Sequence, residues 1–128
     1  MIVVALCSLM ALLLTYLESR NRLKNGMKLG FALVTLLGVI HYNYGNDYMA
    51  YYDIYKSIVN VPFNFSNVIG GYVYKESGWA LINYAFKPIG GFFMMVAVLN
   101  IIQNVIYYRF IKNNVARSWW PVAIFIYL

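Results

Sequence analysis

Two carboxylates in a largely apolar chain, Asp47 and Glu76, have the surroundings that chemistry needs. Asp47 follows Gly45-Asn46, with His41 shortly before it, and precedes Tyr48, Tyr51, Tyr52 and Tyr55. Glu76 follows Lys75 and stands three residues before Trp79. A positioned carboxylate can take a proton from a reacting hydroxyl. Nearby cations stabilise phosphate oxygens, and flat aromatic faces pack against sugar rings. Together these residue types suit a sugar-phosphate ligand. Each carboxylate also has a plain structural use. Asp is among the best residues for capping a helix start, and Glu in that place complements the helix dipole. A second candidate is a polar stripe, Asn100, Gln103, Asn104 and Tyr107, at i, i+3, i+4 and i+7 of an apolar run. Such amides either line a cavity or hydrogen-bond to a neighbouring helix.

The elements that must position these residues are membrane helices. Apolar residues make up 62% of the 128, against about 45–50% in soluble domains. Charged residues make up 11%, less than half the usual ~25%. A soluble chain of this length cannot bury so much apolar surface, and disorder is excluded by the same composition. A single Cys excludes a disulfide scaffold. Ten Lys and Arg against four Asp and Glu leave a net +6. Four of those cations, Arg20, Arg22, Lys24 and Lys28, fall between two apolar runs, as in a cytoplasmic loop of a membrane protein. The charge is therefore a topology signal and not a nucleic-acid footprint. One His with one Cys cannot form a zinc site, and no dinucleotide, P-loop or nucleophile-elbow motif is present.

Along the chain, spans are expected over about 1–17, 29–44, 92–110 and 119–128, with a short partial or re-entrant helix over about 79–89. No cation precedes the first run and no small-residue cleavage site follows it, so it reads as a retained span. Cys7 reads as a packed thiol inside that span. Residues 47–59 carry Tyr48, Tyr51, Tyr52, Tyr55 and Ile58 on one side at helical spacing. This predicts an amphipathic helix lying along the outer membrane surface. With 20–28 inside, 47–76 lie outside. Cations also follow the long run, at Arg109, Lys112 and Arg117. They share the inner side only if 79–86 does not cross. Asn64-Phe65-Ser66 fits a glycosylation sequon. Gly26-x-x-x-Gly30 fits a small-xxx-small pattern, but half of it lies in the basic loop, so it reads as incidental. The fold class is all-α: a polytopic helix bundle with an outer interfacial helix. The chain stops inside an apolar run and reads as the N-terminal part of one multi-span membrane domain.

Gly45-Asn46-Asp47-Tyr48-x-x-Tyr51-x-x-x-Tyr55, followed by Glu76-Ser77-Gly78-Trp79-Ala80-Leu81-Ile82-Asn83, resembles the EpsG family of polysaccharide biosynthesis proteins, related to Wzy-type polymerases. The resemblance extends over nearly all of this chain, which corresponds to about the first third of that family's fold. One departure is His41, where the family usually has Arg; histidine loses its charge near neutral pH.

The resemblance implies a multi-pass enzyme of the bacterial plasma (inner) membrane. It would polymerise polyprenyl-pyrophosphate-linked oligosaccharides at the outer face, alongside other polysaccharide-export proteins and with no cofactor. On that reading Asp47 or Glu76 is the base, His41 and Lys75 hold phosphate, and Tyr48, Tyr51 and Trp79 line the sugar site. Apart from the resemblance, the polar stripe makes Asn100 and Asn104 the candidates for lining a cavity. Two other classes fit the residues: a small non-catalytic accessory or scaffold protein, or a fragment of a transporter with a broken helix.

Overall fold

The computed structural model describes residues 2–40 and 47–128. The phosphate-binding expectation for His41 lies outside the described residues. Among those described, every regular element is a helix: α1 (Ile2–Ser19), α2 (Gly26–Ile40), α3 (Tyr48–Val59), α4 (Phe65–Ile69), α5 (Ser77–Phe86), α6 (Gly91–Asn114) and α7 (Trp120–Tyr127). A single 3-10 turn, Arg117–Trp119, leads into α7. The chain divides into two compact units, Met1–Ile40 with Leu99–Leu128, and His41–Val98.

In the first unit α1 and α2 form a hairpin. Asn21 and Asn25 take left-handed backbone conformations, φ 59° and 60°, which asparagine tolerates better than most residues. The Met27 N–H donates to the Glu18 carboxylate at 2.7 Å, satisfying one orphan donor at the start of α2. The two glycines that read as incidental in the sequence prove to be the packing surface. A Cβ on Gly26 would collide with the Leu14 carbonyl oxygen, and one on Gly30 would lie 3.0 Å from that of Ala11. Ala11 and Thr15 are buried opposite, with the Thr15 hydroxyl spent on the Ala11 carbonyl. The pattern works because the helix begins at Gly26 itself, so both glycines lie on one face.

Met27, Phe31, Ile111, Trp120 and Ile124 form the core that ties α2, α6 and α7 together. Arg117 donates to the Glu18 carbonyl at 2.6 Å, and the Trp120 indole donates to the Val115 carbonyl at 3.0 Å. These contacts gather the basic segments 20–28 and 109–117 at one end of the unit. Gly38 lies against Asn100 at the other.

In the second unit, buried Ile58, Val68 and Ala80 hold α3, α4 and α5 together. The sequon residue Asn64 caps α4, its side-chain oxygen accepting from the Ser66 and Asn67 N–H groups at 3.0 and 3.4 Å. Lys87 donates to the Val59 carbonyl at 2.6 Å and Tyr84 to the Val61 carbonyl at 3.0 Å, closing α5 onto the end of α3. Gly90 and Gly91 (φ 141° and 70°) make the turn into α6, where a Cβ on Gly91 would lie 3.2 Å from the Tyr55 hydroxyl oxygen.

Among the described residues two helices are long and apolar enough to cross a bilayer, Ile2–Ser19 and Gly91–Asn114, which fits membrane association. Their outward faces remain apolar, with Leu6, Leu9 and Leu13 exposed on one and Ile102, Ile106 and Phe110 on the other. Where spans were expected over 29–44 and 119–128, the described helices have 15 and 8 residues. The ten residues of α5 rise about 15 Å, half of a ~30 Å hydrocarbon core.

Candidate functional site

The second unit holds a cavity of about 460 Å³ lined by Tyr48, Tyr51, Tyr74, Glu76, Trp79, Phe92 and Val96. Three separate local causes bring these residues together. Tyr48 and Tyr51 are one turn apart on α3, so they share a face. Glu76 ends the extended approach to α5 and Trp79 lies in that helix's first turn. Phe92 and Val96 are at i and i+4 of α6, immediately after the Gly90-Gly91 turn.

The walls are built by ring contacts. Tyr51 and Trp79 meet edge to face at 5.9 Å between centroids, and Tyr48 and Phe92 do so at 5.4 Å. Tyr52 and Tyr55 pack on the same buried Phe92, at 5.4 and 5.7 Å. Burial, and then the neighbouring Tyr52, raise the ionisation of the Tyr55 phenol above its ordinary range, so it stays a neutral packing group. The Trp79 indole N–H is buried with no acceptor among the described residues. Native proteins seldom leave such a donor unsatisfied.

Glu76 occupies the N-cap position of α5, yet its side chain makes no capping hydrogen bond. Asp47 occupies the same position in α3 and makes none either. Capping by hydrogen bond therefore accounts for neither carboxylate. Both are exposed, but Glu76 lines the cavity, whereas Asp47 stands one residue before the lining begins. Lys75 is exposed and does not line it. Of the residues singled out from sequence, Tyr48, Tyr51, Glu76 and Trp79 are thus gathered around one cavity, and Asp47 and Lys75 stand outside its lining. Sequence reasoning misses Tyr74, Phe92 and Val96. Tyr74 sits two residues before Glu76 in non-helical chain, and the pair Phe92 and Val96 blends into an apolar run that reads as a span. The signal that could find the pair is its i, i+4 spacing directly after two glycines.

Asn100 and Asn104 belong to the other unit. Asn104 is buried; its amide nitrogen donates to the Asn100 carbonyl and side-chain oxygen at 2.9 and 3.0 Å. Its oxygen accepts from the Tyr127 hydroxyl at 2.8 Å. Asn104 lines a second, apolar cleft, whereas the Asn100 side chain packs against Gly38. The polar stripe is thus spent on two hydrogen bonds within α6 and one from α7, with Gln103 and Tyr107 exposed. Among the described residues no three His, Cys, Asp or Glu side chains are grouped to hold a metal ion. Compared with family models, curated proteins and solved structures, the chain finds no match in any of the three.

Proposed function

We propose that this chain carries the sugar-binding part of a multi-pass membrane glycosyltransferase of the EpsG and Wzy-like kind. It would act on lipid-pyrophosphate-linked oligosaccharides at the outer face of the bacterial plasma membrane. The observation that carries this reading is a cavity walled by Tyr48, Tyr51, Tyr74, Trp79 and Phe92 with one carboxylate, Glu76, on its lining. Aromatic rings suit the faces of sugars, and a carboxylate suits a sugar hydroxyl. A cavity of this volume falls in the range of small-ligand sites, about 300–1,000 Å³.

In the reaction an acceptor hydroxyl oxygen bonds to the anomeric carbon of the donor. The bond from that carbon to the pyrophosphate oxygen breaks, and the hydroxyl proton passes to Glu76. The lipid pyrophosphate leaves with the bonding electrons. Cations that steady the leaving group come from outside the described cavity lining, with His41 and Lys75 as the candidates that the resemblance offers.

The test is Glu76→Gln in cells making the polymer. The amide keeps the shape and loses the proton affinity, and loss of a general base lowers a rate about 10²–10⁴-fold. Loss of polymer at normal membrane abundance is expected. Full-length polymer from this variant would overturn the assignment and favour a non-catalytic accessory protein.

A further inference from the structure

We infer that the first unit binds one anionic phospholipid, its headgroup phosphate on Lys28 and Arg109 and an acyl chain along the cleft between α2 and α6. The inference is independent of the glycosyl-transfer reading and concerns a different part of the chain.

The cleft has a volume of about 590 Å³ and an almost wholly apolar wall. On α2 its lining includes Phe31, Thr35, Leu36 and Val39, and on α6 Ile101 and Val105. Each set recurs at helical spacing, so two continuous helix faces form the walls. From Lys28 to Val39 the α2 face rises about 16 Å, a length that suits hydrocarbon chain.

The polar groups along the cleft are already engaged. The Thr35 hydroxyl donates to the Phe31 carbonyl at 2.7 Å. The Asn104 amide donates to Asn100 and accepts from Tyr127. The middle of the cleft therefore offers an occupant contact without hydrogen bonds, which selects hydrocarbon over a sugar or peptide.

One end is different. Lys28 and Arg109 both line the cleft, and neither meets a carboxylate among the described residues. They share an end because the helices are antiparallel: Gly38 lies against Asn100 far from both cations, and Phe31 meets Tyr108 edge to face at 5.7 Å close to them. Two unneutralised cations at the mouth of an apolar cleft complement an amphiphile with a negative head. Basic pockets between membrane helices take anionic lipid headgroups on the same physical grounds. In a membrane the abundant molecule with that chemistry is an anionic phospholipid.

The detergent-purified protein is titrated with dioleoyl phosphatidylglycerol or, separately, dioleoyl phosphatidylcholine, and retained lipid is counted by native mass spectrometry. One phosphatidylglycerol per chain is expected, with clear preference over phosphatidylcholine. Lys28→Gln with Arg109→Gln should weaken its retention roughly thirtyfold. Equal retention of the two lipids by the unaltered protein would overturn the inference without recourse to any variant. To locate the chain, Leu36→Trp, at an exposed position on the cleft wall, is measured against phosphatidylglycerol carrying brominated acyl chains. Quenching beyond that of the unsubstituted protein is expected. Its absence would mean that the cleft holds no acyl chain and would also overturn the inference.

Discussion

Tyr51 and Trp79 meet edge to face, with centroids 5.9 Å apart and ring planes at 64°, although they lie on different helices. This contact joins the tyrosine-rich helix to the helix that follows Glu76, and both rings border the same cavity. Edge-to-face pairs add about 0.5–1.5 kcal/mol beyond the area they bury. Trp79→Phe should therefore keep the pair and most of the stability, while Trp79→Ala loses both the pair and a cavity wall. Saccharide affinity measured by calorimetry should fall by about two- to tenfold for Trp79→Ala, as the loss of about 0.5–1.5 kcal/mol implies. Equal affinity for Trp79→Ala and the unaltered protein would remove this residue from the proposed sugar site.

Asp47 and Glu76 should separate under the same substitution. Asp47 is exposed, outside the cavity lining, and makes no side-chain cap. Asp47→Asn should leave polymer length and membrane abundance unchanged, since Asn serves about as well as Asp at a helix start. A polymer defect from Asp47→Asn with none from Glu76→Gln would reverse the roles assigned to the two carboxylates.

How far these features are legible in the sequence differs from residue to residue. Amphipathic spacing points to Tyr48 and Tyr51 because i and i+3 fix a shared helix face wherever the helix sits. Trp79 and Glu76 are legible as chemistry and Gly70-Gly71 as a turn, but no local rule specifies which part of α3 the chain meets after that turn. Phe92 and Val96 stay hidden because an apolar residue reads alike whether it faces lipid or a cavity. Gly26 and Gly30 look incidental because the apolar run begins three residues after the helix does, which leaves one glycine in the apparent loop. Helix ends carry weaker signals than helix interiors.

The α1–α2 contact gives a test with its own control. Gly26→Leu forces a side chain against the Leu14 carbonyl, and such overpacking costs about 1–3 kcal/mol. Gly78, by contrast, has nothing within 4 Å of the place a Cβ would take. Gly78→Ala should be neutral or stabilising by up to about 1 kcal/mol. Thermal unfolding of both in detergent checks this. An unchanged midpoint for Gly26→Leu would show that α1 and α2 do not depend on the close approach.

Tyr127→Phe removes the only phenolic donor to the Asn104 oxygen among the described residues. Hydrogen bonds between membrane helices average about 0.6 kcal/mol and reach about 1.7. A loss in that range is expected on unfolding in detergent. Stabilisation by Tyr127→Phe would mean that the bond is strained or formed at the expense of a better one.

The Arg117 bond to the Glu18 carbonyl predicts that Lys24 and Asn113 face the same side of the membrane. Single cysteines at those two positions, in a Cys7→Ala background, should react together or be protected together when intact cells meet an impermeant thiol reagent. With positive charge retained inside, protection is expected at both. Labelling of one and not the other would break the bundle described for this unit.

The packing surface between Gly26, Gly30, Leu14 and Ala11 lies wholly within the first forty residues. The ribosome adds about 5–20 residues per second, so several seconds separate completion of α2 from the arrival of Arg117. The hairpin can close on itself while the rest of the chain is still being made. It is then available as a docking face for α6 and α7, and the clasp from Arg117 to Glu18 can form only after that later part of the chain has been made.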